Sequence, residues 1–143
     1  MTVKAILAQK GHDVFTIGPD EKLDEAVRIL AGHRVGALVV TNADKAVVGI
    51  VSERDVVRVL AKQGAAAFQM PVRKMMTSKV KSCHESHTVN EIMEIMTAGR
   101  FRHIPVEKDG RLHGIISIGD VVKRRIEDAE REAEDIKAYI ATA

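Results

Sequence analysis

Apolar positions recur along this chain with two alternating periods. Leu23, Ala26, Val27 and Leu30 stand at i, i+3, i+4 and i+7, which lines one face of a helix. A short apolar run follows, Ala37-Leu38-Val39-Val40, then the polar turn Asn42-Ala43-Asp44-Lys45 and a second run from Val47 to Val51. Two such runs around a turn of that composition predict a hairpin of buried strands. A further helix is expected to open at Ser52, and a short strand over Val14 to Ile17 precedes the first helix, with Asp20 as its N-cap. The whole order then returns. Val89, Ile92, Met93 and Met96 repeat the helical face, with Ser86 as the expected cap. His103-Ile104-Pro105-Val106, Lys108-Asp109-Gly110-Arg111 and Leu112 to Ile116 repeat the hairpin. A strand over Val80 to Cys83 lies before them, and a helix opens at Ser117.

The return is a duplication. Val47-Val48-Gly49-Ile50-Val51-Ser52-Glu53-Arg54-Asp55-Val56-Val57-Arg58 aligns with Leu112-His113-Gly114-Ile115-Ile116-Ser117-Ile118-Gly119-Asp120-Val121-Val122-Lys123. The upstream helices align with a slip of one residue, which falls in the hairpin loop. At the front, Val3, Ile6 and Leu7 match Val72, Met75 and Met76. Three aligned blocks in order indicate a tandem repeat of about 60 residues. The expectation is an α/β (α+β) fold of two β-α-β-β-α units, residues 1–68 and 69–126. Residues 127–143 would form a C-terminal helical extension.

Composition narrows the class. Of 143 residues, 45% are hydrophobic, enough for a packed core. Net charge is only +2, so no global field draws the chain to nucleic acid or an anionic membrane. Three Phe, one Tyr and no Trp leave little material for base stacking. Cys83 is the only cysteine, which excludes an intramolecular disulfide and a thiolate zinc cluster. No apolar run reads as a signal segment or approaches the roughly 20 residues of a membrane helix. The expectation is a soluble cytoplasmic protein without membrane or nucleic-acid partners.

The repeated Ser52-x-x-Asp55 and Ser117-x-x-Asp120 read first as capping boxes at strand-to-helix turns. A helix N-terminus also offers free N–H groups to phosphate, and a carboxylate beside it can accept both hydroxyls of a ribose. The glycine before each strand end, Gly49 or Gly114, permits close backbone approach. These residues allow a nucleotide without requiring one.

The doubled motif G-[I/V]-[I/V]-S-x-x-D-V, with its preceding helix and hairpin, resembles the cystathionine β-synthase (CBS) domain over about residues 3 to 126. Arg102-His103-Ile104-Pro105-Val106 adds to the likeness. The resemblance implies a Bateman module, two repeats packed about a pseudo-twofold axis, with adenosyl ligands in two clefts between them. AMP is the first choice, with ADP, ATP, NAD(H) or S-adenosylmethionine as alternatives. It also implies a homodimer and a protein target that the residues do not name.

Carried onto this chain, the resemblance places Asp120, Ser117, Arg102 and His103 in one cleft. Thr16, Ile17, Val35, Gly36 and Ala37 would complete it. The other cleft would hold Ser52, Asp55, Ser82, Cys83, Ile104 and Pro105. Asp55 and Asp120 would take ribose hydroxyls. Arg102 and His103 stand where the first copy has Gly36 and Ala37, so the Asp120 cleft is expected to bind phosphate better.

Three further patterns carry less. Val122, Ile126, Ala129, Ala133, Ile136 and Ile140 form a heptad stripe, which either folds back on its own subunit or meets another helix. Residues 100 to 125 are basic (Arg100, Arg102, Lys108, Arg111, Lys123, Arg124, Arg125) and residues 126 to 143 are acidic. That contrast suits a solvated surface, attraction of nucleotide phosphates or, weakest of the three, nucleic acid. His84, His87 and Cys83 are neighbours but lack a metal-binding scaffold. No activated nucleophile or paired-carboxylate site is readable, so no catalytic residue and no metal are assigned. The expected function is a regulatory adenine-nucleotide sensor rather than an enzyme, with a ligand-free assembly adaptor as the rival.

Overall fold

The structure, a computed structural model, describes residues 1–142. A helix that the repeat pattern did not predict comes first, α1 (Val3–Lys10), and the expected order follows: β1 (Thr16–Ile17), α2 (Leu23–His33), β2 (Ala37–Thr41), β3 (Val47–Ser52) and α3 (Glu53–Gln63). Two short 3-10 helices, Gly64–Gln69 and Val72–Lys74, join the copies. The second copy supplies α4 (Val89–Gly99), β4 (His103–Lys108), β5 (Arg111–Ser117) and α5 (Ile118–Thr142).

The two sheets are built alike. β2 pairs antiparallel with β3 and parallel with β1, and β4 pairs antiparallel with β5. The expected strand over Val80 to Cys83 is reduced to one parallel bridge, Cys83 with Val106. That bridge repeats the β1 pairing of Ile17 with Val40. Each hairpin shifts register at the same place, between Val40 and Thr41 and between Val106 and Glu107. The one-residue slip is absorbed in the turns. Asn42 Oδ1 accepts the Asp44 and Ala46 N–H groups in the first. Asp109 and Gly110, both at positive φ, close the second more tightly.

The helix starts correct two sequence expectations. α2 is capped at Lys22 without a side-chain bond, and α4 at Thr88, where Thr88 and Glu91 complete a capping box. Asp20 pairs with Arg73 instead. Thr88-x-x-Glu91 is itself a capping signature, and it places the start two residues beyond Ser86.

The sequence repeats do not coincide with the cores. Val3, Ile6 and Leu7 of α1 pack with Cys83, Val89, Ile92, Ile104 and Ile116 of the second copy. Val72, with Met75 and Met76 against it, packs with Leu23, Leu38, Val40 and Val51 of the first. Backbone bonds show the same exchange. Val3 N–H donates to His87 O at 2.9 Å, and its counterpart Val72 N–H donates to Glu21 O at 2.8 Å. Each copy lends its leading segment to the other, which ties the two halves into one body.

Candidate functional site

Gly49 and Gly114 make that exchange possible. A Cβ on Gly114 would lie 2.7 Å from Leu7 Cδ2, and one on Gly49 would strike the Met76 sulfur. The close approach that these glycines permit is therefore to the lent segments. This corrects their reading as an opening for a ligand.

The strand ends next to these glycines carry the two carboxylates. At the start of α3, Asp55 Oδ2 accepts Ser52 N–H at 2.9 Å and Ser52 Oγ–H at 3.1 Å, while Ser52 Oγ accepts Asp55 N–H. At the start of α5, Asp120 Oδ2 accepts Ser117 N–H at 2.8 Å and Ser117 Oγ–H at 3.0 Å. The first amide of each helix has a partner as well. Glu53 N–H donates to Gly36 O, and Ile118 N–H to Arg102 O. Both S-x-x-D motifs are thus capping boxes, whatever else they do.

The surroundings of the two carboxylates differ. Lys10 Nζ donates to Asp120 Oδ2 at 2.6 Å and to Ile115 O at 2.9 Å. Burial alone would raise the Asp120 carboxyl. The Lys10 ammonium and the Ser117 donors outweigh it and hold the group below its ordinary value. Asp55 is buried, with its other oxygen facing Thr77 Oγ1 at 3.4 Å and Arg58 Nη1 at 3.7 Å. Asp55 borders a cavity of about 420 Å³ between the repeats.

Basic side chains surround this cavity: Arg54 and Arg58 from the first copy, and Lys79, Lys81, Arg100 and Arg102 from the second. Only Glu53 and Asp55 oppose them among its lining residues. Phe101, Val80 and Ile50 supply apolar wall. Arg54 Nη1 reaches Arg100 O at 3.4 Å across the repeats. His103 also lies over the glycine opposite it, since a Cβ on Gly36 would stand 3.3 Å from the His103 ring. Burial lowers the affinity of that imidazole for a proton, with Asp120 partly opposing.

The expected residues divide accordingly. Ser52, Asp55, Gly36, Arg102 and His103 meet in the one cavity. Arg102 and His103 therefore line the space beside Asp55, on the side opposite to the one expected for them. His103 opens β4 and Arg102 directly precedes it. Thr16 is exposed, Ile17 belongs to the first core, and Val35 packs against that core. Ala37, Ile104 and Pro105 are buried strand residues. Ser82 Oγ–H donates to Glu107, and Cys83 is fully buried in the second core. Burial, with Glu107 adding to it, pushes the Cys83 thiol up to about 12, so it is no nucleophile. His84 N–H donates to His87 Nδ1, which ties that histidine pair into a turn.

Lys79, Lys81, Arg100, Arg54 and Arg58 join the cavity wall without being marked by the motifs. The 100–125 stretch is basic in the sequence, whereas Lys79 and Lys81 lie in the segment between the copies, where no charge pattern marks them. Residues 3–62 and 72–127 each match the CBS domain family.

The chain belongs to the CBS domain family. A CBS-domain containing protein of Agrobacterium tumefaciens is 54% identical, superposes with a TM-score of 0.84, and is matched over 87% of this chain and 99% of its own. A mitochondrial CBS domain-containing protein of Arabidopsis thaliana is 37% identical over 85% of this chain, which spans 61% of that protein's length. A CBS domain pair in complex with 5′-methylthioadenosine and S-adenosyl-L-methionine is 25% identical, with a TM-score of 0.77 over 86% of this chain and 98% of its own. The two halves described here are thus a CBS domain pair. No described helix is long and apolar enough to cross a membrane.

Proposed function

We propose that this CBS pair is a regulatory module that binds an adenine nucleotide in the cavity beside Asp55. One observation carries the reading. A buried carboxylate at a helix start and six basic side chains from both repeats converge on one cavity of about 420 Å³. A carboxylate suits a ribose diol, and a cationic rim suits phosphate. The adenosyl ligands of the related pair support the adenosine half. The rim favours AMP, ADP, ATP or NAD(H) over ligands without phosphate, with AMP as first choice.

The output would be conformational. A ligand that bridges the repeats shifts them toward the arrangement it binds best, by no more than its differential affinity. The α5 helix leaves the second repeat directly at Asp120 and is the natural lever toward a protein target. The residues around the cavity would bind and orient the nucleotide.

A thermal-shift panel on nucleotide-stripped protein tests this, with AMP, ADP, ATP, NAD⁺, NADH and S-adenosylmethionine. A ligand at 100 times its dissociation constant should stabilise by about 2.7 kcal/mol. The shift should vanish in Asp55→Asn and persist in Asp120→Asn. A shift lost only in Asp120→Asn would move the site to the other carboxylate. No shift with any of them would leave both motifs as helix caps in an assembly adaptor.

A further inference from the structure

The family match ends at residue 127, but α5 runs on to Thr142. Along it, Val122, Ile126, Ala129, Ala133, Ile136 and Ile140 keep the alternating four-and-three spacing of a heptad seam. Among the described residues nothing covers that seam. Val122 is 48% exposed, Ile126 54%, Ile136 60% and Ile140 67%. The opposite face is the one α5 turns to its own subunit, through buried Val121 and through Arg124, which reaches Gln9 and Met1. Large apolar side chains left in water at regular spacing mark a surface that is covered in the working state.

The flanking charges specify what covers it. With Ile126, Ala133 and Ile140 at the a positions, the e positions are Lys123, Glu130 and Lys137, and the g positions are Arg125, Glu132 and Tyr139. In a parallel pair each g residue faces the e residue five positions on in the other helix. Arg125 then meets Glu130 and Glu132 meets Lys137, both attractive, on each side of the pair. In an antiparallel pair at the matching register, Glu130 would meet Glu130, Glu132 would meet Glu132, and Lys123 would meet Lys137. All three contacts are repulsive. Lys123, Arg125, Glu130 and Glu132 form no ion pair among the described residues. Lys137 has only an exposed contact, with Glu134 at 3.9 Å, so these charges are open to such a partner.

We propose that residues 122–140 form a parallel, in-register two-stranded coiled coil with a second copy of this chain. The seam is apolar enough to associate but short, with Ala129 and Ala133 at its middle. Partner choice and direction therefore rest on the e and g charges. The two CBS pairs would lie side by side at the base of the coil, where a nucleotide-driven tilt of α5 would be felt by the other copy.

Cysteine cross-linking of the full chain tests both partner and direction. Buried Cys83 provides an unreactive background, which the unsubstituted protein checks. In a parallel pair position 133 faces its own counterpart, so Ala133→Cys should give disulfide dimers under mild oxidation. The rate should exceed that of Ala138→Cys, on the outer face, by about 100-fold, because paired helices hold the thiols near millimolar effective concentration in micromolar protein. Glu132→Lys should slow the Ala133→Cys reaction, and adding Lys137→Glu should restore it. Equal rates at 133 and 138 would overturn the pairing. Fast cross-linking only between mixed Ala129→Cys and Ala133→Cys chains would overturn the parallel direction.

Discussion

Lys10 and Asp120 meet at 2.6 Å and tie the last residue of α1 to the third residue of α5. Each charge suits its helix end, a cation at the C-terminus of α1 and an anion at the N-terminus of α5. Through the register that aligns Val3 with Val72, the counterpart of Lys10 is Lys79, which lines the cavity beside Asp55. The duplication has thus placed a lysine near each motif carboxylate. In one copy the pair is closed, and in the other the lysine borders an open cavity.

Removing the closed pair should cost stability that depends on pH. Asp120 is held below its ordinary value in the folded chain. Its contribution is therefore complete above about pH 4 and is lost as pH falls through the lowered native value. Lys10→Met should destabilise by about 1 kcal/mol at neutral pH and flatten the acid limb of a urea-stability profile. An unchanged acid limb would show that Lys10 does not hold the carboxylate.

The cationic rim should act on phosphate and not on nucleoside. Arg102→Ala should weaken AMP by about tenfold, the loss of one charge-assisted hydrogen bond of roughly 1.5 kcal/mol, and leave adenosine binding unchanged. Isothermal titration with both ligands measures the two effects. Equal losses for AMP and adenosine would place Arg102 against the base or sugar.

His103 should make the cavity sensitive to acid. Its native value lies below the ordinary one because burial opposes its charge. The unfolded chain therefore binds more protons, and stability falls as pH drops below about 6.5. His103→Gln should remove that part of the decline between about pH 7.5 and about pH 5.5, read from urea melts at both. An identical decline in both proteins would assign it to other histidines.

The two glycine classes should respond with opposite signs. Gly114→Ala drives a methyl into the Leu7 side chain, which is buried in the second core. A loss of about 1–3 kcal/mol is expected. Gly32→Ala lies in the last turn of α2 with open space around it and should gain about 0.5 kcal/mol. Denaturant midpoints of the two variants check both. A tolerated Gly114→Ala would mean that α1 does not seat against β5 as described.

Much of this protein was settled by local pattern. The i, i+3, i+4, i+7 face of Leu23 to Leu30, the hairpin turns and the twin S-x-x-D motifs each depend on residues a few positions apart. The repeat that contains them is therefore readable from order alone, and with it the family. The cap of α4 lay within reach too, since Thr88 and Glu91 carry their own signature, whereas α2 starts at Lys22 with no side-chain cap to mark it. Tertiary structure alone decided which copy each leading segment packs against, because Val3 and Val72 offer the same apolar face to either core. It also decided on which side of the repeat boundary Arg102 and His103 fall, and that Lys79 and Lys81 join them. Those placements follow from how two similarly built halves cross, a long-range geometry to which the spacing of residues within each half is indifferent.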